Sequence, residues 1–177
     1  ACPLNLAPTA STTAALAMGD ALAVALIEKR GFKPADFARL HPAGSLGKRL
    51  LLKVSDLMRS GEDNPVSTRK TPVKDVLFLI TSRKAGAASI VDEDGRLAGF
   101  FTDGDLRRHI EADPDILDKP VSSVMTRDPL VVSRDQLASE ALRLLGEKKV
   151  DELPVVDESN RPVGMLDVQD LLNAGIV

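Results

Sequence analysis

The chain contains one design twice. Val54-Ser55-Asp56-Leu57-Met58 returns as Val121-Ser122-Ser123-Val124-Met125. Ile90-Val91-Asp92 followed by Gly99-Phe100-Phe101-Thr102-Asp103-Gly104-Asp105-Leu106 returns as Val155-Val156-Asp157 followed by Gly164-Met165-Leu166-Asp167-Val168-Gln169-Asp170-Leu171. The copies stand 67 residues apart at Met58 and Met125 and 65 apart from Ile90 onward, so the first carries two extra residues, placed most simply in its 61–68 loop. One such unit has too small a core to stand alone. The two are therefore expected to pair through their exposed sheet faces, and the seam between twins is a natural place for a ligand cleft.

Within the first unit, Val73, Val76, Leu77 and Ile80 fall at helical spacing and predict an amphipathic helix. Ala87–Val91 and residues 97–101 are short apolar runs joined across Asp92-Glu93-Asp94-Gly95, a hairpin signal, and a second helix starts near Thr102. The second unit repeats the plan, with Leu137, Ala141, Leu144 and Leu145 as the helical stripe, Glu152–Val156 and 162–166 as strands and 167–173 as the last helix. Each unit reads helix, strand, strand, helix after a short extended lead-in. Asp113-Pro114-Asp115 and Lys119-Pro120 punctuate the join.

Residues 1–50 lie outside the repeat and have another texture. Ser11-Thr12-Thr13 offers N-cap hydroxyls for a helix over 14–29 that ends at Gly31 and is apolar on nearly every face, with only Asp20 and Glu28 as acids. Such a helix needs burial on all sides, yet the sequence places only a short helix, Pro34–Leu40, beside it. Its missing partners are expected in sequence absent here or in another subunit. A start at Ala1 rather than Met fits a fragment of a longer protein. His41-Pro42-Ala43-Gly44-Ser45-Leu46-Gly47 reads as a loop before the repeat, and residues 48–52 as the way into it.

Composition narrows the function. The 177 residues are 44% hydrophobic and 28% charged with a net charge of -3, which suits a soluble globular protein and shows no basic footprint for nucleic acid or a membrane surface. Five Phe and no Trp or Tyr leave few stacking platforms for single strands. Cys2 is the sole cysteine, which excludes a disulfide framework or thiolate cluster and suits a reducing cytoplasm. The longest uninterrupted apolar run, residues 21–27, is far short of the roughly 20 residues that span a bilayer. No membrane association, nucleic-acid partner or cofactor is expected.

Thr102-Asp103-Gly104-Asp105 sits where a strand ends and a helix begins. A helix N-terminus can hold a phosphate, and a carboxylate three residues on can accept hydrogen bonds from ribose hydroxyls. The same Thr-x-x-Asp pattern is a capping box that needs no ligand. In the second unit the matching positions are Asp167 and Asp170, and a carboxylate in place of Thr102 would repel a phosphate, so the first unit's cleft is favoured. Arg107 and Arg108, with Arg69 and Lys70, are candidates for positive charge around it. His41, in a turn between Leu40 and Pro42, is a candidate proton-transfer group or a structural hydrogen-bonder, whereas His109 has only a surface reading.

These residues carry a resemblance. The two Gly-x-x-Thr/Asp-x-x-Asp-Leu segments, each preceded by an Ile/Val-Val-Asp strand, resemble two CBS (cystathionine beta-synthase) domains. The upstream stretch from Leu6 through Gly31-Phe32 and Asp36-Phe37-Ala38 to His41-Pro42-Ala43-Gly44 resembles the tail of the sugar isomerase (SIS) domain of bacterial D-arabinose 5-phosphate isomerases. The resemblance implies an α/β (α+β) fold: a tandem CBS pair, or Bateman module, preceded by C-terminal SIS helices. Its segments would be 1–50 from the SIS domain, 53–113 as the first CBS domain and 120–177 as the second. It implies that His41 falls on an active-site histidine of that family, with Ala43 departing from its His-Pro-Gly-Gly pattern, while the remaining catalytic lysine and glutamates lie upstream of Ala1.

The implied parent activity is interconversion of D-ribulose 5-phosphate and D-arabinose 5-phosphate toward the lipopolysaccharide sugar Kdo, in a homo-oligomer, with no turnover by this chain alone. The implied role of the CBS pair is to sense a nucleotide through Thr102, Asp105, Arg107, Arg108, Lys70 and Asp170. CMP-Kdo is the ligand that makes metabolic sense; an adenine nucleotide such as AMP or ATP, or a ligand-free oligomerisation element, are the alternatives.

Overall fold

The computed structural model describes residues 2–4, 6–40, 44–111 and 113–176. Three helices come first: α1 (Thr9–Arg30), α2 (Pro34–Leu40) and α3 (Ser45–Leu51). The first repeat follows with β1 (Val66–Thr68), α4 (Val73–Ser82), β2 (Ala87–Val91), β3 (Leu97–Thr102) and α5 (Asp103–Ile110). The second supplies β4 (Val132–Ser133), α6 (Ala138–Lys148), β5 (Glu152–Val156), β6 (Pro162–Asp167) and α7 (Val168–Asn173).

Each repeat forms a three-stranded sheet in which the short first strand pairs parallel to the second and the second antiparallel to the third. The extended lead-in of the sequence reading thus resolves into a 3-10 turn and a third strand. That strand was invisible as a pattern because β4 is only two residues long. The first repeat's two extra residues fall where the 3-10 turn Gly61–Asp63 precedes β1.

Packing crosses the repeats. Val54, Leu57 and Met58 open the first repeat but pack with Leu145, Leu153 and Leu166 of the second. Val121, Val124 and Met125 open the second repeat but pack with Ile80, Ile90 and Phe101 of the first. Backbone hydrogen bonds fix both crossings, Arg59 exchanging two with Met165 (2.8 and 2.9 Å) and Thr126 two with Phe100 (2.8 and 2.9 Å). A smaller cluster of Ala87, Phe100 and Met165 joins the two sheets at the seam.

Glycine is required where each lead-in crosses a strand. A Cβ on Gly164 would stand 2.8 Å from the Arg59 carbonyl oxygen, and one on Gly99 2.9 Å from Met125 Cε. The Arg59 carbonyl oxygen, which accepts the Met165 N–H in a residue paired through both its backbone groups, cannot retreat, whereas a methionine end can change rotamer. Gly164→Ala is expected to cost about 1–3 kcal/mol and Gly99→Ala less than about 1 kcal/mol; equilibrium urea unfolding of the two variants checks the order.

The amino-terminal helices depart from expectation in two places. Helix α1 starts at Thr9 rather than 14, so Ser11, Thr12 and Thr13 lie inside it and donate to the carbonyls of Pro8 and Thr9 instead of capping it. Its end agrees, Gly31 adopting φ 59° as the left-handed C-cap. Residues 45–51, read as the end of a loop and a way into the repeat, form α3, which is tied to the second repeat by Lys48 Nζ donating to the Ala174 carbonyl at 3.0 Å and Ser139 Oγ donating to that of Arg49 at 2.8 Å.

No residue of α1 is buried, and Leu16, Met18, Leu22 and Val24 are well exposed. By length and composition this 22-residue helix is apolar enough to cross a membrane. The sequence reading had rested on the uninterrupted run 21–27, which the flanking Ala, Met and Gly extend once they are helical. Interior helices of soluble proteins meet the same criterion.

Candidate ligand-binding cleft

Where β3 ends, Thr102 caps α5. Its hydroxyl accepts the Asp105 N–H at 3.2 Å and donates to Asp105 Oδ2 at 3.0 Å, and that oxygen also accepts the Thr102 N–H at 2.9 Å. The capping box expected from the Thr-x-x-Asp pattern is therefore present. Asp105 Oδ1 accepts from Arg108 Nη2 at 2.6 Å and from the Thr126 hydroxyl at 3.2 Å. Asp105 is 3% exposed, and it is one of two buried polar residues, with Ser89, among the described residues. Arg108 reaches it from a side chain that is itself 66% exposed.

A cleft of about 450 Å³ opens beside this cap, within the usual size of small-molecule sites. The first repeat contributes Gly86, Phe100 and the start of α5 through Arg108; the crossing lead-in contributes Thr126 and the run to Leu130; the second repeat contributes residues 149–154. Pro129, Leu130, Val150, Leu153 and Pro154 make one side apolar, while Arg107, Arg108 and Lys149 supply cationic groups. Lys149 is positioned by its left-handed conformation at the end of α6 (φ 54°). The arrangement offers an apolar surface, a carboxylate with a replaceable donor, and the cationic side chains of Arg107, Arg108 and Lys149 lining the same cleft.

The equivalent place in the second repeat is closed. Arg59, where the first repeat's cleft has Thr126, points its guanidinium at Asp170 (Nε–Oδ2 2.7 Å, Nη2–Oδ1 3.3 Å) and Asp167 (Nη2–Oδ2 3.2 Å) and donates to the Lys84 carbonyl at 2.6 Å. The hydrogen bond to Asp170 raises the Arg59 pKa above its ordinary value against the opposing effect of burial. Asp167 keeps its capping role, accepting the Gln169 N–H at 2.7 Å.

Of the residues singled out in the sequence, Thr102, Asp105, Arg107 and Arg108 come together in the cleft. Lys70 does not: it is exposed, 3.3 Å from Glu93, in a shallow groove with Arg69 beside β1 and β2. Asp170 is engaged by Arg59. His41 lies outside the described residues, and the His109 ring meets the Asp105 carbonyl at 2.8 Å within its own helix. Among the described residues no grouping of His, Cys, Asp or Glu could hold a metal.

Two residues went unnoticed in the sequence, Arg59 and Glu152. Repeat alignment held the signal: Arg59 stands at the position of Thr126, and Glu152 at that of Ala87. Burial first, then the charges of Asp167, Asp151 and Asp103, push the Glu152 carboxyl up to about 7, with Arg59 opposing.

Two α/β units that trade lead-ins across a shared seam, with a cleft at the cap of one helix, define a tandem-repeat pair. The CBS domain model matches residues 54–112 and 121–176, and the chain belongs to the CBS domain family. Over all 177 residues the chain is 49% identical to arabinose 5-phosphate isomerase KdsD of Pseudomonas aeruginosa and 44% identical to that of Escherichia coli K12. It spans 54% of the length of each of these relatives. The crystal structure of CBSX2 in complex with AMP matches with a TM-score of 0.62 at 29% identity, over 71% of this chain and 97% of that one. The CBS resemblance is thereby matched over residues 54–112 and 121–176, and the resemblance to arabinose 5-phosphate isomerases by relatives that align over all 177 residues.

Proposed function

We propose that this chain is the regulatory part of a cytoplasmic D-arabinose 5-phosphate isomerase, and that its CBS pair senses a nucleotide in the Thr102–Asp105 cleft. The observation that carries this reading is the Asp105 carboxylate, buried in the capping box yet held on its outer oxygen by the exposed Arg108. A ribose diol can take the place of Arg108 on that oxygen, and the released guanidinium, with Arg107, Lys149 and the N-terminus of α5, then meets the phosphate. The base lies against Pro129, Leu130 and Pro154. In the parent, His41 serves ring opening or proton transfer in the aldose–ketose exchange, and the rest of the catalytic set belongs to the part of the relatives that precedes this segment. Helix α1 is covered by that same part. The module biases a homo-oligomeric isomerase by binding its ligand unequally in two states.

The ligand that suits feedback on Kdo synthesis is CMP-Kdo, which brings ribose, phosphate and carboxylate to the same cluster. An adenine nucleotide is the second reading, favoured by the AMP bound to CBSX2. Calorimetric titration of the chain with CMP-Kdo, CMP, AMP and ATP separates them, and silence from all four moves the pair toward a ligand-free role in assembly. Thr102→Ala combined with Asp105→Ala is expected to weaken the binding ligand about 100-fold, the loss of two to three hydrogen bonds of which some are charge-assisted. Unchanged binding by that double variant would move the site elsewhere.

A further inference from the structure

Glu152 opens β5 opposite Asp167, and its side chain crosses the seam to lie against Gly86 of the first repeat, filling the space that any Cβ there would need. It lines the cleft together with Asp103 and Asp151. Asp167 borders it from β6 and Asp103 from the start of α5. The lead-in brings Arg59, whose N–H groups are committed to Asp170, Asp167 and the Lys84 carbonyl. On the loop it packs against, the charged residues are Arg83, paired with Glu62, and Lys84; the cleft is further lined by Arg107, Arg108, Lys149, Asp105 and Asp128. The first repeat has Ala87 in the equivalent place, so this carboxyl is peculiar to one side of the seam.

We infer that Glu152 makes anion binding in this cleft proton-linked: a phosphate-bearing ligand enters together with one proton, which Glu152 takes up. The inference rests on the nucleotide-binding reading above. An ionised Glu152 adds a further negative charge to a cleft already lined by Asp103, Asp128, Asp151 and the Arg108-paired Asp105, and it repels a phosphate in a partly desolvated space. Protonated, it is neutral and can donate a hydrogen bond to a phosphate oxygen. With the free carboxyl titrating at about 7, the chain is poised to change affinity across neutral pH. As pH rises above that value the free site loses the proton the complex needs, so affinity falls; as pH drops below it the penalty disappears.

The test is titration of wild type and Glu152→Gln with AMP and with CMP between pH 6 and 8, each in two buffers of different ionisation enthalpy. The phosphate's own ionisation is common to both proteins and cancels in their ratio. The ratio of wild-type to variant Kd is expected to rise about five- to tenfold from pH 6 to pH 8, with proton uptake near one at pH 8 in the wild type only. Equal pH slopes and equal proton uptake in the two proteins would overturn the inference while leaving nucleotide binding intact. Absence of binding by both proteins to both nucleotides at every pH, with CMP-Kdo and ATP equally silent, would instead overturn the nucleotide reading, and this inference with it. An independent readout follows the same sign: Glu152→Gln should gain thermal stability over wild type as pH rises from 5 to 8, because the folded state loses its raised-pKa proton there.

Discussion

Val54→Asp is expected to destroy the second repeat, although Val54 belongs by sequence to the first. The side chain is fully buried among Leu145, Leu153 and Leu166. Lifting a buried carboxyl by some three pKa units costs about 4 kcal/mol at neutral pH, and lost packing adds to it. A small domain has only 5–15 kcal/mol in hand. Hydrogen exchange should therefore show protection lost first in β4, β5, β6 and α6, ahead of β2 and β3. The sign with pH is fixed: the folded aspartate has the higher pKa, so the deficit grows as pH rises from the unfolded value and shrinks toward acid. Val54→Ala, which leaves no charge, should cost about 2 kcal/mol and unfold in the same order. Loss of protection in β2 and β3 first would mean that the lead-ins are not exchanged.

Arg59→Ala carries the second large effect. Arg59 is the point where the first lead-in, the carboxylates at the head of α7 and the loop after α4 meet. Its removal leaves Asp167 and Asp170 facing each other without a counter-charge and pushes Glu152 higher still, since Arg59 is what opposes its rise. A fully buried pair broken in this way costs 3–5 kcal/mol; with these side chains about a quarter exposed or less, roughly 2 kcal/mol is expected. Arg59→Lys should recover less than half of it, because an ammonium cannot reproduce the forked contact to Asp170 and Asp167. Thermal unfolding of the three proteins at low and high salt decides the origin of the loss: an electrostatic loss shrinks as salt screens the charges, whereas packing loss does not.

Much of the module could be read along the chain. The spacing of Val73, Val76, Leu77 and Ile80 placed α4, and Asp92-Glu93-Asp94-Gly95 placed the β2–β3 hairpin, because amphipathic periodicity and turn chemistry are local properties. Thr102, Asp105, Arg107 and Arg108 converge because they share one short helix and the strand end before it. Lys70 failed to join them since proximity across a sheet depends on which face a loop leaves, and its loop leaves the far edge beside β1. Asp170 matched the motif of Asp105, but its surroundings differ at one position, Arg59 for Thr126, on a segment more than 100 residues away. The third strand of each sheet, two or three residues long, has no periodicity to detect.

The duplication, the helix–strand–strand–helix order shared by the two repeats, the cap of α5 and the inequality of Thr102 and Asp167 were all legible in the residues, being set by neighbours a few positions apart. The exchange of lead-ins, the closure of one cleft by Arg59 and the lodging of Glu152 against Gly86 were decided only by the packed molecule. Each depends on contacts between repeats, where burial and charge are shared by residues that no local pattern connects.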